Sequence, residues 1–91
     1  MRNEPSPSRA TILAEIRTFV ATWFREGRED GLAAETPLVT SGIVDSAGVV
    51  EVVEFLERRF RVRIVDEDIS LGNCNTLAGL TDLVAGRLGP R

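Results

Sequence analysis

Ninety-one residues, 43% hydrophobic and 27% charged, describe one small folded domain with room for only a modest core, which disfavours a self-sufficient enzyme. The chain has no histidine, so the commonest general base and the commonest metal ligand are both missing, and its single cysteine, Cys74, excludes an internal disulfide or a cysteine metal cluster. Net charge is −3 and every basic residue is arginine; seven acids and no base lie between Glu29 and Glu57, after which Arg58, Arg59, Arg61 and Arg63 make a basic patch too short, beside such an acidic face, to predict nucleic-acid binding.

Residues 1–7 are polar and rich in proline and are expected to form a disordered tail. They lack the apolar centre of a signal peptide, and no stretch of the chain is long enough to span a membrane, so a cytoplasmic protein is expected. Ser8 can cap a first helix running to Glu26, in which Ile12, Leu13, Ile16, Phe19, Val20, Trp23 and Phe24 recur at spacings of three and four as a core face. Gly27 and Gly31 end it. Glu29 to Asp45 then reads as a long connection, broken by Pro37 and pinned to the rest by Leu32, Leu38, Val39 and Ile43.

Ser46 to Phe60 predicts a strongly amphipathic second helix. At 3.6 residues per turn Val49, Val52, Val53, Leu56 and Phe60 share the inward arc, while Ser46, Ala47, Val50, Glu51, Glu54, Glu57 and Arg58 face out. Val50 ringed by glutamates has the composition of a docking surface, where a small apolar contact adheres and the acids steer basic partners. Ile64-Val65 is a short extended link, and Asp66 can cap a brief third helix, Glu67 to Ser70. Asn73 and Asn75 mark a turn before a last helix, Thr76 to Leu88, with Leu77, Leu80, Val84 and Leu88 inward. Gly79 and Gly86 weaken that helix, and residues 89–91 should fray. The expected fold is all-α: a single domain over residues 8–88, folded as a small antiparallel four-helix bundle with three long helices, one short third helix and a long first loop.

Ser46 is the residue in this chain best placed to bear a function. It follows Gly42-Ile43-Val44-Asp45 and opens the amphipathic helix. It cannot be a hydrolase nucleophile, because no histidine exists to activate it and the glycine-flanked elbow is absent. A serine here can receive a group from another enzyme, and a phosphodiester would sit over free backbone N–H groups at the positive end of the helix. An aspartate-serine pair also serves as an ordinary helix cap.

The segment Gly42-Ile43-Val44-Asp45-Ser46-Ala47-Gly48-Val49-Val50-Glu51-Val52-Val53-Glu54-Phe55-Leu56-Glu57 resembles the attachment segment of acyl carrier and peptidyl carrier proteins. The likeness continues through Phe60, Ile64, Asp66, Asp68 and Thr76-Leu77, and covers roughly residues 8 to 88. The resemblance implies that a phosphopantetheinyl transferase moves 4′-phosphopantetheine from coenzyme A to Ser46, beside Asp45. It further implies that the arm carries acyl, polyketide or aminoacyl groups as thioesters. Partners implied are an adenylating ligase or acyltransferase and condensing or tailoring enzymes, meeting Ala47, Val50, Glu51, Glu54 and Glu57. No enzyme activity, metal, nucleic acid or membrane is expected, and a monomer is. Two departures stand out: Ala47 replaces the family's usual leucine, and Arg58, Arg59, Arg61 and Arg63 replace acids common in fatty-acid carriers. Both favour a dedicated pathway, such as a specialised natural product or an unusual lipid, and the short unbroken chain points to a freestanding carrier rather than a slice of a megasynthase. The alternative is an adaptor that keeps the carrier fold, is never loaded, and acts through its second helix.

Overall fold

The computed structural model describes residues 7–88. The chain forms α1 (Arg9–Phe24), α2 (Ser46–Phe60), a single 3-10 turn (Asp66–Asp68), a short α3 (Leu71–Cys74) and α4 (Leu77–Leu88). The tail expected over residues 1–7 falls, apart from Pro7, outside the described residues, as do residues 89–91.

α1 starts where Ser8 accepts a hydrogen bond from the Thr11 N–H at 3.1 Å, satisfying a donor that the first helical turn would leave open. Its partners fix the direction of α2. Glu15 pairs with Arg59, Phe19 stacks on Phe55, and Phe24 lies against Gly48, so one helix ascends as the other descends. Gly48 permits that approach: a Cβ there would come within 2.7 Å of the Phe24 ring and 2.9 Å of Val44. α4 lies along α1, with Arg9 ion-paired to Asp82, and α3 packs against the start of α4.

Ile12, Ile16, Val20, Val52, Leu56, Leu77, Leu80 and Val84 make the buried centre. The long connection adds Leu32, Leu38 and Val44, each buried side chain contributing roughly 1.5–3 kcal/mol toward the cost of ordering a segment without helix of its own. Its backbone is held by neighbours instead. The Arg17 guanidinium donates to the Leu32 carbonyl at 2.8 Å, Ala78 donates to the Ala34 carbonyl at 3.0 Å, and Leu38 donates to the Asn75 carbonyl at 2.6 Å. The Asn75 side chain then accepts from Val39 and Thr40 at 2.8 and 3.1 Å. One asparagine at the end of α3 thus clamps the loop that leads into Ser46.

The helical plan is the expected one, with four local corrections. Trp23 is 63% exposed and does not belong to the core. The buried stripe of α1 runs from Ile12 and Ile16 to Val20 and Ala21, swinging by roughly a third of a turn along the helix, and leaves Trp23 behind. Val49 is only half-buried, because it lies where α2 opens toward α3. The third helix is two pieces, and neither is Glu67–Ser70. The Asp68 carboxylate folds back to the Val65 N–H at 3.1 Å, and its carbonyl is taken by the Asn73 side chain at 2.7 Å, so the helix cannot propagate. Ser70, not Asp66, is the side-chain cap, accepting from Asn73 N–H at 3.2 Å to start α3. Asn73 is therefore inside a helix rather than in a turn, while Asn75 follows it as the helix ends.

Candidate functional site

The approach to Ser46 is set by the loop clamp. Val44 is buried and its N–H bonds to the Leu38 carbonyl at 2.9 Å, which aims the next residue, Asp45, outward at the start of α2. Asp45 is extended, and its carboxylate accepts from the Gly48 N–H at 2.8 Å while its carbonyl accepts from Val49 at 2.9 Å. The Gly48 bond satisfies one of the four open donors of the helix start, and the Val49 bond is the first regular bond of the helix. The N–H groups of Ser46 and Ala47 find no acceptor among the described residues, and neither does the Ser46 hydroxyl.

Ser46 is exposed. A phosphate on its oxygen would meet two unbonded N–H donors and the positive end of a four-turn helix, although the Asp45 carboxylate, held by Gly48, offsets part of that favourable field. These residues fit a phosphodiester: the oxygen is open, and no acceptor among the described residues competes for the two N–H donors.

Beside Ser46 lies a groove of about 250 Å³ between α2 and α3, walled by Val39, Val49, Val50, Ile69, Leu71 and Cys74. Val50 and Leu71 are more than half exposed, so an apolar patch flanks the serine on a chain that buries most of its large side chains. Ile69 and Leu71 were not read as site residues. They bracket the Ser70 cap, where the sequence predicts Asp66 as the cap, and only the placement of that cap turns them toward Ser46. Cys74 is buried at the groove floor, and burial pushes its thiol above the ordinary cysteine range.

Of the other predicted contact residues, Ala47, Val50, Glu51 and Glu54 are exposed on α2. Glu57 differs: it is half-buried, and its carboxylate accepts the Ile64 N–H at 3.0 Å, which stitches the end of α2 to the following link. The arginines divide as well. Arg59 grips Glu15 at 2.6 and 2.8 Å and lies over the Phe60 ring, tying α2 to α1, while Arg58, Arg61 and Arg63 are exposed. No group of residues with metal-ligand character is found among the described residues, and no helix there is long and apolar enough to cross a membrane.

A small all-helical domain with an open serine at the head of an acidic amphipathic helix has the plan of a carrier domain. The chain is 38% identical over 71 residues, covering 78% of its own length and 82% of the other, to "Probable acyl carrier protein PigG" of Serratia sp. (strain ATCC 39006). No family model matches it. The chain belongs to the acyl carrier protein family.

Proposed function

We propose that the protein carries acyl, polyketide or aminoacyl intermediates as thioesters on a 4′-phosphopantetheine arm attached to Ser46, serving a specialised cytoplasmic pathway and catalysing no step itself. The observation that carries this reading is the exposed Ser46 hydroxyl over the unbonded Ser46 and Ala47 N–H groups, in a chain of the acyl carrier protein family. When attached, the arm supplies a terminal thiol that holds the cargo.

The protein's own residues do the rest. Asp45 fixes the helix start so that the Ser46 oxygen projects outward, and Ser46 and Ala47 offer backbone donors to the phosphate. Glu51 and Glu54 give a negative face along which basic partner surfaces associate quickly and leave quickly, as a shuttle between enzymes requires. A tethered cargo gains effective concentration at each docked partner. Ala47, small and exposed, narrows the apolar contact at this face and favours dedicated partners: a transferase, an adenylating ligase or acyltransferase, and condensing or tailoring enzymes.

Incubation with coenzyme A and a panel of phosphopantetheinyl transferases, followed by intact mass, should add one phosphopantetheinyl group to the wild type and none to Ser46→Ala. A wild-type mass unchanged with every transferase, together with pathway complementation by Ser46→Ala, would refute loading and leave the unloaded adaptor in its place.

A further inference from the structure

A groove of about 540 Å³ lies on the opposite flank of α2 from Ser46. Ala14, Thr18, Phe19 and Trp23 of α1 and Phe55 of α2 line it, with Glu15 at the side. The Phe19 and Phe55 rings stack at 4.2 Å, and the Trp23 ring leans on Phe19 at 5.7 Å. Trp23 is 63% exposed, the most exposed large apolar side chain described. Tryptophans left on a surface in contact with other rings are the side chains that most often anchor a protein interface.

The charges beside the groove without an ion-pair partner among the described residues are Glu29, Glu51 and, one turn beyond Phe55 on the same side of α2, the exposed Arg58, so acids outnumber bases there two to one. Thr18 donates to the Glu29 carboxylate at 3.0 Å, which places Glu29 at the groove mouth. Glu51 stands one helical turn before Phe55, on the same side of α2. No cation among the described residues lies within ion-pair distance of either, whereas Glu15 is already matched by Arg59. Along α1 the groove extends from Thr11 to Trp23, about 18 Å, or three turns of helix. The described structure holds no strand, so it offers no sheet edge to an extended peptide; a helix, with its backbone bonds internal, is the element that fits.

We propose that this α1–α2 groove docks an amphipathic helix of a partner protein, one apolar side chain seated against Trp23 and Phe55 between lysines or arginines that face Glu29 and Glu51. A second copy of this chain is a poor occupant. Besides Trp23, the exposed large apolar residue on its long helices is Val50, and Val50 is surrounded by glutamates that would oppose the acids of the groove. The site does not require Ser46 to be loaded, so unmodified protein tests it and a failure of loading is scored separately.

The probe is a short helical peptide of leucine and lysine in amphipathic register, with a leucine-glutamate peptide as control. Trp23 is the sole tryptophan, so its emission reports the groove directly, and amide chemical shifts map the contact. Expected are a blue shift of Trp23 emission, amide changes concentrated at Thr18–Trp23 and Phe55, weakening with salt, and a loss of about tenfold or more in affinity in Trp23→Ala and in the double variant Glu29→Gln/Glu51→Gln. Unchanged affinity in both variants, shifts centred on Val50 and Leu71, or equal binding of the acidic peptide would each overturn the proposal. Self-association of the free protein that Trp23→Ala abolishes would overturn it too, by making a second copy the occupant.

Discussion

Removing the Asn75 side chain should loosen the segment that presents Ser46 while sparing the helices. In Asn75→Ala the N–H of Val39 loses its partner in a half-buried position, a cost of about 1–3 kcal/mol, and the exposed N–H of Thr40 turns to water at a cost of a few tenths. The weak donation from Asn75 Nδ2 to the Thr40 hydroxyl, at 3.3 Å, adds little. The expected loss is about 2 kcal/mol, which in a domain of this size lowers Tm by roughly 8–16 °C. Urea unfolding followed by circular dichroism should show a lower midpoint with an unchanged slope. Asn75→Asp keeps the oxygen that both N–H groups address and should recover more than half of the loss. Amide exchange should accelerate from Val39 to Ser46 in the alanine variant, with the centres of α1 and α4 unaffected. If aspartate is as damaging as alanine, or alanine costs less than about 0.5 kcal/mol, the clamp does not hold the loop in the way argued.

Gly79→Ala gains about 1 kcal/mol in helix propensity, but its Cβ would stand 2.8 Å from the Asn73 carbonyl oxygen, part of a backbone that cannot swing aside. A net loss of about 1 kcal/mol is expected, and a raised urea midpoint would contradict it. Thr81 is fully buried and its hydroxyl has no partner among the described residues; Thr81→Val should therefore raise stability by about 1 kcal/mol, whereas a loss in thermal unfolding would reveal a bond to that oxygen. The Arg87 guanidinium, and then the Val65 N–H, hold the Asp68 carboxyl below the usual carboxylate range. A depressed folded pKa stabilises above the unfolded value and loses that contribution as pH falls through the folded one. The stability gap between wild type and Asp68→Asn should accordingly be constant at neutral pH and close below about pH 4; a gap that persists in acid would refute the pairing.

The long helices were legible because each is written twice in the chain, once by apolar spacing and once by its caps. Ser8 and Ser46 mark starts that agree with the periodicity of Ile12–Ile16–Val20 and Val52–Leu56–Phe60, and the structure places both starts within a residue. Between Val65 and Asn75 the two signals part. Asp66, Asp68 and Ser70 are all competent caps, the segment is too short to show a period, and the choice among them is made by the side chain of Asn73 within it and by Arg87, which lies elsewhere in the chain. That choice decides where Ile69 and Leu71 point, so half of the groove beside Ser46 could not be read beforehand. Trp23 was misplaced for a different reason. A fixed period assumes a straight seam, and α1 crosses its neighbours so that its buried side turns before the helix ends. Val44, one of the most buried residues of the loop, has no period to announce it.

Cys74 lies 5% exposed on the floor of the groove under Ser46, with its thiol held in the protonated form by burial. Alkylating reagents attack thiolates that they can reach, and this sulfur offers neither the charge nor the access. At neutral pH the native apo-protein should thus be silent to iodoacetamide and turn reactive only on unfolding. Any stoichiometric alkylation of the folded molecule would then count sulfur that had been added from outside, free of background from the polypeptide.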